Sequence, residues 1–270
     1  IGVRRLAERD EHEFVELVLR EFALARERVA GREIATVYFG GGTPALLSPA
    51  SISRLLAAFA AELRFASPEI TVELNPGQLE VARAPALREA GVTRLSLGVQ
   101  AFDDEVLRRL GRAQKGREAL RGLEACLAAG FPTLSIDLIY GAPGQSLETL
   151  LRDVDTAIDL GVPHVSAYSL TIEPGTPFAL GAERGVLDLP DEDTVLAMGR
   201  LLRSRLAAGG IAQYEISSYA RPGHRSRHNQ RYWQLRPYLG LGVSAASQLG
   251  TWRWTETSVL PAWVEGRGEM

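Results

Sequence analysis

Short apolar stretches rich in β-branched residues alternate along the chain with segments in which apolar residues recur at the helical period. These stretches predict five strands, which begin near Glu33, Glu69, Thr93, Thr133 and His164. Each stretch reads as a continuous apolar run, which is typical of strands buried in a parallel sheet. The pattern predicts an α/β fold of βα units with right-handed crossovers and with ligand-binding groups at the carboxyl ends of the strands.

The helical segments between these strands carry start and stop signals. Ser48 followed by Pro49 is typical of an N-cap with proline at the first helical position. Three further helices are predicted to end at Gly91, Gly130 and Gly161, because glycine favours the conformation that commonly ends a helix.

The alternation of strands and helices changes after about residue 180. Residues 187–210 predict a long amphipathic helix capped near Asp191, and residues 212–233 predict a short strand that leads into a polar, aromatic loop. Residues 237–250 are rich in glycine and serine, and we expect them to be closely packed. We therefore divide the chain into residues 1–180 and 181–270.

Composition narrows the class of protein. A chain of 270 residues that is 46% hydrophobic can bury a full core. A net charge of −3 and the lack of a block of basic residues argue against nucleic-acid binding, and no apolar run is long enough to predict a membrane span. One cysteine, Cys126, excludes an internal disulfide framework and favours a reducing compartment, so we expect a cytoplasmic protein.

The candidate chemistry follows the predicted strands. Gly40–Thr43 ends the first strand, Glu73 and Asn75 the second, Gln100 the third and Asp137 the fourth. Glycines let a ligand contact the backbone directly, but neither common phosphate-binding glycine pattern is present. Carboxylates and an amide suit an amino group or a ribose, which favours an amino-acid or nucleoside ligand. Taken singly, the glycines could form a simple turn and Asp137 a helix cap.

Several motifs together resemble one family over nearly all of residues 30–250. They occur in the order found in radical S-adenosylmethionine proteins of the oxygen-independent coproporphyrinogen III oxidase type. The segment HNQRYW, residues 228–233, resembles the HNxxYW signature of the haem chaperone branch of this family. The other motifs that carry the resemblance are TVYFGGGTPALL, VELNPG, RLSLGVQAF, DLIYGAPGQ, AYSLTIEPGTPF, YEISSYARPG and YLGLGVSA.

The resemblance implies a partial (β/α)6 TIM-like barrel within residues 1–180, incomplete at its N-terminus. Residues 181–270 would hold the end of the barrel and the start of a smaller α-rich domain. The implied cofactors are S-adenosylmethionine, a [4Fe–4S] cluster and haem. The implied contacts for S-adenosylmethionine are Gly41, Gly42, Thr43, Glu73, Gln100, Arg112, Asp137 and Thr171. The implied haem-associated residues are His228, Asn229, Tyr232 and Trp233.

One family feature is missing, because no C-x-x-x-C-x-x-C motif is present. In the family this motif precedes the helix that we predict at residues 10–28, so we expect the chain to be a fragment truncated at both ends. Cys126 cannot replace three cluster ligands, and its helical setting predicts a packed side chain.

The histidines have mainly structural interpretations. His12 is expected in solvent, and His164 is expected to pack at the start of a strand. The spacing of His224 and His228 does not favour zinc, because Pro222 and Gly223 predict a loop. His228 has two open roles, as a haem ligand or as a structural hydrogen-bonding group.

The sequence is compatible with three functions. The first is a haem chaperone that binds haem and passes it to an acceptor protein. The second is an oxygen-independent coproporphyrinogen III oxidase. The third, a barrel enzyme acting on a phosphorylated metabolite, is disfavoured because no phosphate motif lies in the last two barrel loops.

Overall fold

A computed structural model describes residues 8–42, 44–258 and 263. Within these ranges the strands are β1 (Glu33–Phe39), β2 (Arg64–Leu74), β3 (Arg94–Gln100), β4 (Thr133–Tyr140), β5 (His164–Ser169), β6 (Ala212–Glu215), β7 (Ser218–Ala220), β8 (Ala246–Leu249) and β9 (Trp252–Thr255). The first five strands overlap the predicted apolar stretches, although β2 begins at Arg64, before its predicted start near Glu69.

Helices separate the first five strands, as expected for βα units. The α-helices are α1 (Glu8–Ala25), α2 (Pro49–Glu62), α3 (Gln78–Val81), α4 (Ala84–Glu89), α5 (Asp104–Arg109), α6 (Gly116–Ala128), α7 (Leu147–Asp159), α8 (Pro177–Glu183), α9 (Glu192–Ala208) and α10 (Arg227–Trp233). Two short 3-10 helices span Arg26–Val29 and Pro44–Leu46.

Seven of the strands form one sheet in the order β1-β2-β3-β4-β5-β7-β6, and β8 and β9 form a separate antiparallel pair. The pairs β3–β4 and β4–β5 are parallel, whereas β7 runs antiparallel to both β5 and β6. The ladder between β3 and β4 is irregular between Leu97 and Gln100. This irregularity falls at Gln100, a predicted site residue.

By its contacts the chain divides into two compact units. The first unit comprises the described residues within 1–71, 89–92 and 226–270, and the second comprises Val72–Arg88 and Thr93–Arg225. This division follows spatial contacts rather than chain order. The boundary expected near residue 180 from the sequence stays a prediction.

In the second unit the strands carry two different faces. Leu95 and Leu97 in β3, and Ile136 and Leu138 in β4, are almost completely buried. Successive strand residues point to opposite sides, so alternate residues of β3, β4 and β5 form a polar face on the other side. That polar set is Arg94, Ser96, Ser135, Asp137, His164 and Ser166. The strands therefore bury an apolar layer and also bring polar groups to one surface of the sheet.

The predicted helix signals are confirmed. The Ser48 side chain accepts a hydrogen bond from the backbone of Ser51, and Asp191 caps α9 through the backbone of Thr194. Gly91, Gly130 and Gly161 all have positive φ angles, as expected after a helix.

Two predictions for residues 212–233 are wrong in detail. The expected single strand is an antiparallel pair, β6 and β7. The expected loop contains the helix α10, which starts after Ser226, whose side chain accepts a hydrogen bond from the backbone of Asn229. Pro222 and Gly223 lie before this cap, so their helix-breaking effect does not reach the HNxxYW segment.

The close packing expected for residues 237–250 is confirmed at Gly240. A β-carbon at this position would lie 2.3 Å from the carbonyl oxygen of Ala246. Only glycine allows the two backbone segments to approach so closely.

Candidate functional site

Asp137 is the centre of a group of charged side chains in the second unit. Its pKa is raised to about 7, mainly by burial and further by the nearby charge of Glu73. A hydrogen bond from Ser166 and the guanidinium groups of Arg94 and Arg112 act in the opposite direction. The fold therefore brings the predicted residues Glu73, Arg112 and Asp137 close together.

Gln100 ends β3 in an unusual backbone conformation. Its φ angle is 68°, a region that few residues other than glycine adopt. The Ala101 N–H donates to the Val99 carbonyl at 2.9 Å, which closes a tight turn around Gln100. The turn directs the buried side chain of Gln100 back along its own strand.

Gly98 makes room for this side chain. A β-carbon at Gly98 would lie 2.9 Å from Nε2 of Gln100 and 3.5 Å from Oδ1 of Asn75. Asn75 is two residues beyond Glu73, and it forms a side-chain hydrogen bond with Glu80, whose pKa is raised by burial. The amide of Gln100 thus lies beside the end of β2. We refer to Glu73, Gln100, Arg112 and Asp137 as the polar cluster.

Arg112 reaches this cluster from the loop after α5. Burial lowers the pKa of its guanidinium, and the charge of Asp137 partly opposes that effect. A cation and two carboxylates in a partly buried setting can bind a ligand that carries both positive and negative groups.

Tyr168 is a further residue of this region that our sequence analysis missed. Its pKa is raised, first by burial and then by the charge of Asp137, and its side chain shares a hydrogen bond with Ser166. The side chain remains 44% exposed. A period-two count from His164 along β5 places residue 168 on the same face as Ser166, so the signal was present in the sequence.

A second polar group lies around His164, which confirms the expected packing role of that residue. His164 shares hydrogen bonds with Ser135 through Nδ1 and with the Tyr214 hydroxyl through Nε2, the latter at 2.8 Å. The buried guanidinium of Arg94 donates to Ser135 and to the backbone carbonyl of His224. Burial and the charge of Arg94 hold the pKa of His164 well below its usual value, so the imidazole is neutral.

The remaining predicted contacts for S-adenosylmethionine have less defined settings. In the first unit, Gly41 and Gly42 have φ angles of 80° and 72°, in a loop that a β-carbon would not crowd. Thr43 lies outside the described residues. In the second unit, Thr171 is exposed on the loop after β5, where its hydroxyl donates to the Ser169 carbonyl.

His228, in the first unit, is held by hydrogen bonds on both sides of its ring. Nδ1 shares a hydrogen bond with the Thr36 hydroxyl and Nε2 with the Tyr232 hydroxyl, each at 2.9 Å. The ring stacks on Tyr38 with 4.7 Å between centroids, and the backbone N–H donates to Glu69. Burial lowers the pKa of His228 to about 4, and the imidazole is therefore neutral. Of its two predicted roles, this is the geometry of the structural one.

The other residues of the HNxxYW segment lie on α10. Asn229 is half-buried and its N–H donates to the Ser226 hydroxyl, which caps the helix. Tyr232 and Trp233 are 42% and 41% exposed, so each offers part of an aromatic face to solvent. Arg231 donates to the Pro237 carbonyl. The exposed aromatic rings could contact a flat apolar ligand.

Cys126 and the histidines are the candidate ligands for an iron–sulfur cluster or a metal ion. Cys126 is completely buried in α6, and burial raises the pKa of its thiol to about 12, which confirms a packing role. No group of three or more His, Cys, Asp or Glu side chains among the described residues could hold a metal ion. His224 shares a hydrogen bond with the Thr133 hydroxyl at 3.0 Å. Across the described part of the chain, every helix is too short or too polar to span a bilayer.

Comparison with protein families matches residues 5–157 to the Radical SAM superfamily. The chain belongs to this superfamily. The radical SAM assignment covers more than half of the sequence, and it includes Glu73, Gln100, Arg112 and Asp137. The family prediction made from the sequence motifs is therefore confirmed.

Solved structures confirm the radical SAM fold class, an α/β fold of the partial-barrel type. The coproporphyrinogen III oxidase HemN from Escherichia coli, described as a radical SAM enzyme, matches with a TM-score of 0.81 and 27% identity. The match covers 98% of this chain and 64% of HemN. The archaeal Elp3 from Methanocaldococcus infernus matches at 19% identity with a TM-score of 0.53, and it supports the fold alone.

Curated relatives of this radical SAM chain include proteins named heme chaperone HemW. The protein from Escherichia coli K12 is 44% identical over 216 residues, which is 80% of this chain and 56% of that protein. The protein from Bacillus subtilis is 38% identical over 220 residues, which is 81% of this chain and 58% of that protein. The chain thus spans somewhat more than half the length of these relatives.

Membership in the radical SAM superfamily implies S-adenosylmethionine and a [4Fe–4S] cluster. The polar cluster fits the first of these, because carboxylates, an amide and a guanidinium can pair with the charged amino-acid part and the hydroxyls of that molecule. The iron–sulfur cluster does not fit the residues present, because Cys126 is the one cysteine and is buried in α6. Its thiolate ligands would have to come from residues outside this sequence.

Proposed function

We propose that this chain is the core of a radical SAM haem chaperone, which binds haem and passes it to an acceptor protein. The observation that supports the proposal most strongly is the similarity, up to 44% identity over 80% of the chain, to proteins named heme chaperone HemW. The HNxxYW segment on α10 is consistent with the same branch of the family. A cytoplasmic location is part of the proposal, because a lone buried thiol suits a reducing compartment.

In this proposal the polar cluster binds S-adenosylmethionine. Glu73 and Asp137 would accept hydrogen bonds from the amino group or the ribose, and Arg112 would pair with the carboxylate. Gln100, with its side chain fixed over Gly98, would supply an amide. When bound, S-adenosylmethionine provides a cationic sulfonium and, with a reduced cluster, a source of radicals. Contacts from Gly41, Gly42, Thr43 and Thr171 stay predictions.

The proposed haem surface is the exposed side of α10. Tyr232 and Trp233 would pack against the porphyrin plane, and Arg231 is near enough in sequence to pair with a propionate. Since both ring nitrogens of His228 are hydrogen-bonded, axial ligation would require Nε2 to leave the Tyr232 hydroxyl. A haem contact from the Asn229 side chain stays a prediction, because the start of the helix is held by the Ser226 side chain through the Asn229 backbone.

The experiment is a haem titration of the complete protein after anaerobic reconstitution of its cluster. Trp233→Ala should weaken haem binding by about tenfold, because it removes an aromatic contact. Trp252→Ala is the matched control, since Trp252 is 78% exposed in the same unit but lies on β9. His228→Ala separates the two roles of the histidine, because loss of the axial absorption signature identifies a ligand. Haem affinity unchanged in both Trp233→Ala and His228→Ala would refute the assignment of haem to α10.

The second candidate is an oxygen-independent coproporphyrinogen III oxidase. It is favoured by the similarity to HemN, with 27% identity and a TM-score of 0.81. The same reconstituted protein, supplied with reductant, S-adenosylmethionine and coproporphyrinogen III, distinguishes the two. Formation of protoporphyrinogen IX would establish the oxidase and displace the chaperone proposal, whereas haem binding without this product would retain it.

A further inference from the structure

Asp153 is a buried carboxylate outside the polar cluster. It lies on α7 with 2% exposure, and its Oδ1 accepts a hydrogen bond from the backbone N–H of Phe102 at 2.9 Å. Its Oδ2 has no hydrogen-bond partner within the described structure. Burial also raises the pKa of Asp153 to about 7. Burying a carboxylic group for one backbone N–H is costly, and an apolar residue would fill the same space at lower cost.

The N–H that Asp153 holds lies two residues after Gln100. Gln100 has a φ of 68° and sits in the tight turn closed by Ala101 and Val99. Such a conformation is unfavourable for a residue with a side chain, and it persists only where the surrounding structure fixes it. The hydrogen bond to Phe102 is a fixed point immediately after this turn.

The same segment is attached to the loop that carries Arg112. A β-carbon at Gly116 would lie 1.7 Å from the carbonyl oxygen of Phe102, so the two backbones are in direct contact. The Gly116 N–H donates to Asp104 at 2.7 Å. The Gln114 amide donates to the Val99 carbonyl at 3.2 Å, on the other side of the turn. Residues 111–116 and the Gln100 turn therefore form one connected structure.

We propose that Asp153 is a positioning residue for S-adenosylmethionine binding, which fixes through Phe102 the two loops that present Gln100 and Arg112. This rests on the proposed function, because it assumes that the polar cluster binds that ligand. Asp153 itself contacts no ligand. Its carboxylate oxygen supplies an acceptor to a backbone donor that would otherwise be buried without a partner.

The test measures two quantities in the complete protein with its cluster reconstituted. Calorimetry gives the affinity for S-adenosylmethionine, and hydrogen–deuterium exchange gives the protection of peptides that cover residues 100–104 and 111–116. Asp153→Ala should weaken binding by about tenfold and accelerate exchange in both peptides by a similar factor. Asp153→Asn keeps the acceptor oxygen, so its affinity and exchange should stay within about twofold of wild type.

Asp155→Ala is the matched control. Asp155 lies on the same helix, and its carboxylate pairs with Arg205 on the surface. The substitution removes the same charge without touching Phe102, so neither quantity should change. If Asp153→Ala fails to fold, Asp153→Ser replaces it, because a serine hydroxyl is too short to reach the Phe102 N–H and should show the same two effects.

Two outcomes would overturn the positioning role. One is wild-type affinity in a folded Asp153→Ala or Asp153→Ser protein, and the other is an Asp153→Asn protein as impaired as the alanine variant. Failure of the proposed S-adenosylmethionine binding looks different, because wild type itself would then bind no S-adenosylmethionine. In that case unchanged exchange in Asp153→Ala would also remove the structural link, whereas faster exchange in both peptides would keep it.

Discussion

The polar cluster of the second unit and the His228 region of the first unit each contain a side chain whose pKa is shifted mainly by burial, but the neighbours of the two side chains differ. Asp137 has a neighbour of like charge, Glu73, and burial and that charge raise its pKa to about 7. His228 has two neutral hydrogen-bonding partners, Thr36 and Tyr232, and its pKa falls to about 4.

A ligand could therefore stabilise the charged groups of the polar cluster, whereas the hydrogen-bonding groups of the His228 ring already have partners. A cationic ligand would relieve the repulsion between Glu73 and Asp137 and favour their ionised forms. A neutral imidazole with both nitrogens hydrogen-bonded gains nothing further unless one bond is given up. A residue can therefore match a family motif without having the contacts that the motif's function requires. His228 lies within the motif, yet its contacts in this structure are those of a structural residue.

The largest expected effect is at the polar cluster. Asp137→Ala and Glu73→Ala should each weaken S-adenosylmethionine binding by on the order of 100-fold, because each removes a partly buried charge that faces a cationic ligand. Isothermal titration calorimetry of the reconstituted protein measures the effect. Glu148→Ala is a control for loss of a carboxylate elsewhere in the same unit, because Glu148 is exposed on α7 and pairs there with Arg152. Affinity equal to that of wild type in both cluster variants would show that this region is not the binding site.

Much of this comparison could be predicted from the sequence. Glu73, Gln100 and Asp137 could be predicted because polar residues stand out in apolar strands, although Asp137 lies within β4 and not at its end as predicted. The constraint at Gly98 could not be predicted, because it depends on the turn at Gln100 that directs the side chain backward. Tyr168 was not predicted, because the candidate residues are those that follow each predicted strand.

The helix α10 was missed for a different reason. Pro222 and Gly223 predicted a loop, but both precede the capping residue Ser226 and the start of the helix. One hydrogen bond of His228 joins it to Thr36 on β1, which is far away in sequence, and the other joins it to Tyr232 one turn along α10. A local pattern contains no information about such a long-range partner, so the histidine's two roles could not be distinguished before the structure.

The His228 region should respond to mutation in stability. His228→Ala should lower the free energy of unfolding by about 2 kcal/mol, because it removes two buried hydrogen bonds and a stacked ring. Urea unfolding of the complete protein measures this loss. Tyr232→Phe removes only the hydroxyl partner of Nε2 and should cost less, about 1 kcal/mol.

The pH dependence gives a sharper form of the same test. Because the folded-state pKa of His228, about 4, is below its usual 6.5, protonation of the unfolded chain removes stability as pH falls from about 6.5 toward 4. The alanine variant lacks this loss, so the difference in stability from wild type should narrow over that range. A constant difference would show that the imidazole is not held neutral.

Among the effects expected at the polar cluster, the smaller one is the pH dependence of S-adenosylmethionine binding. Asp137, with a pKa of about 7, is mostly ionised at pH 8 and mostly protonated at pH 6. A cationic ligand favours the ionised form, so affinity should fall by roughly tenfold from pH 8 to pH 6. Asp137→Asn cannot titrate, and in that variant the dependence should disappear, leaving a weak and constant affinity. If the wild-type affinity does not change between pH 8 and pH 6, the charge of Asp137 does not contribute to ligand binding. The difference between Asp137 and His228 would then reflect burial alone.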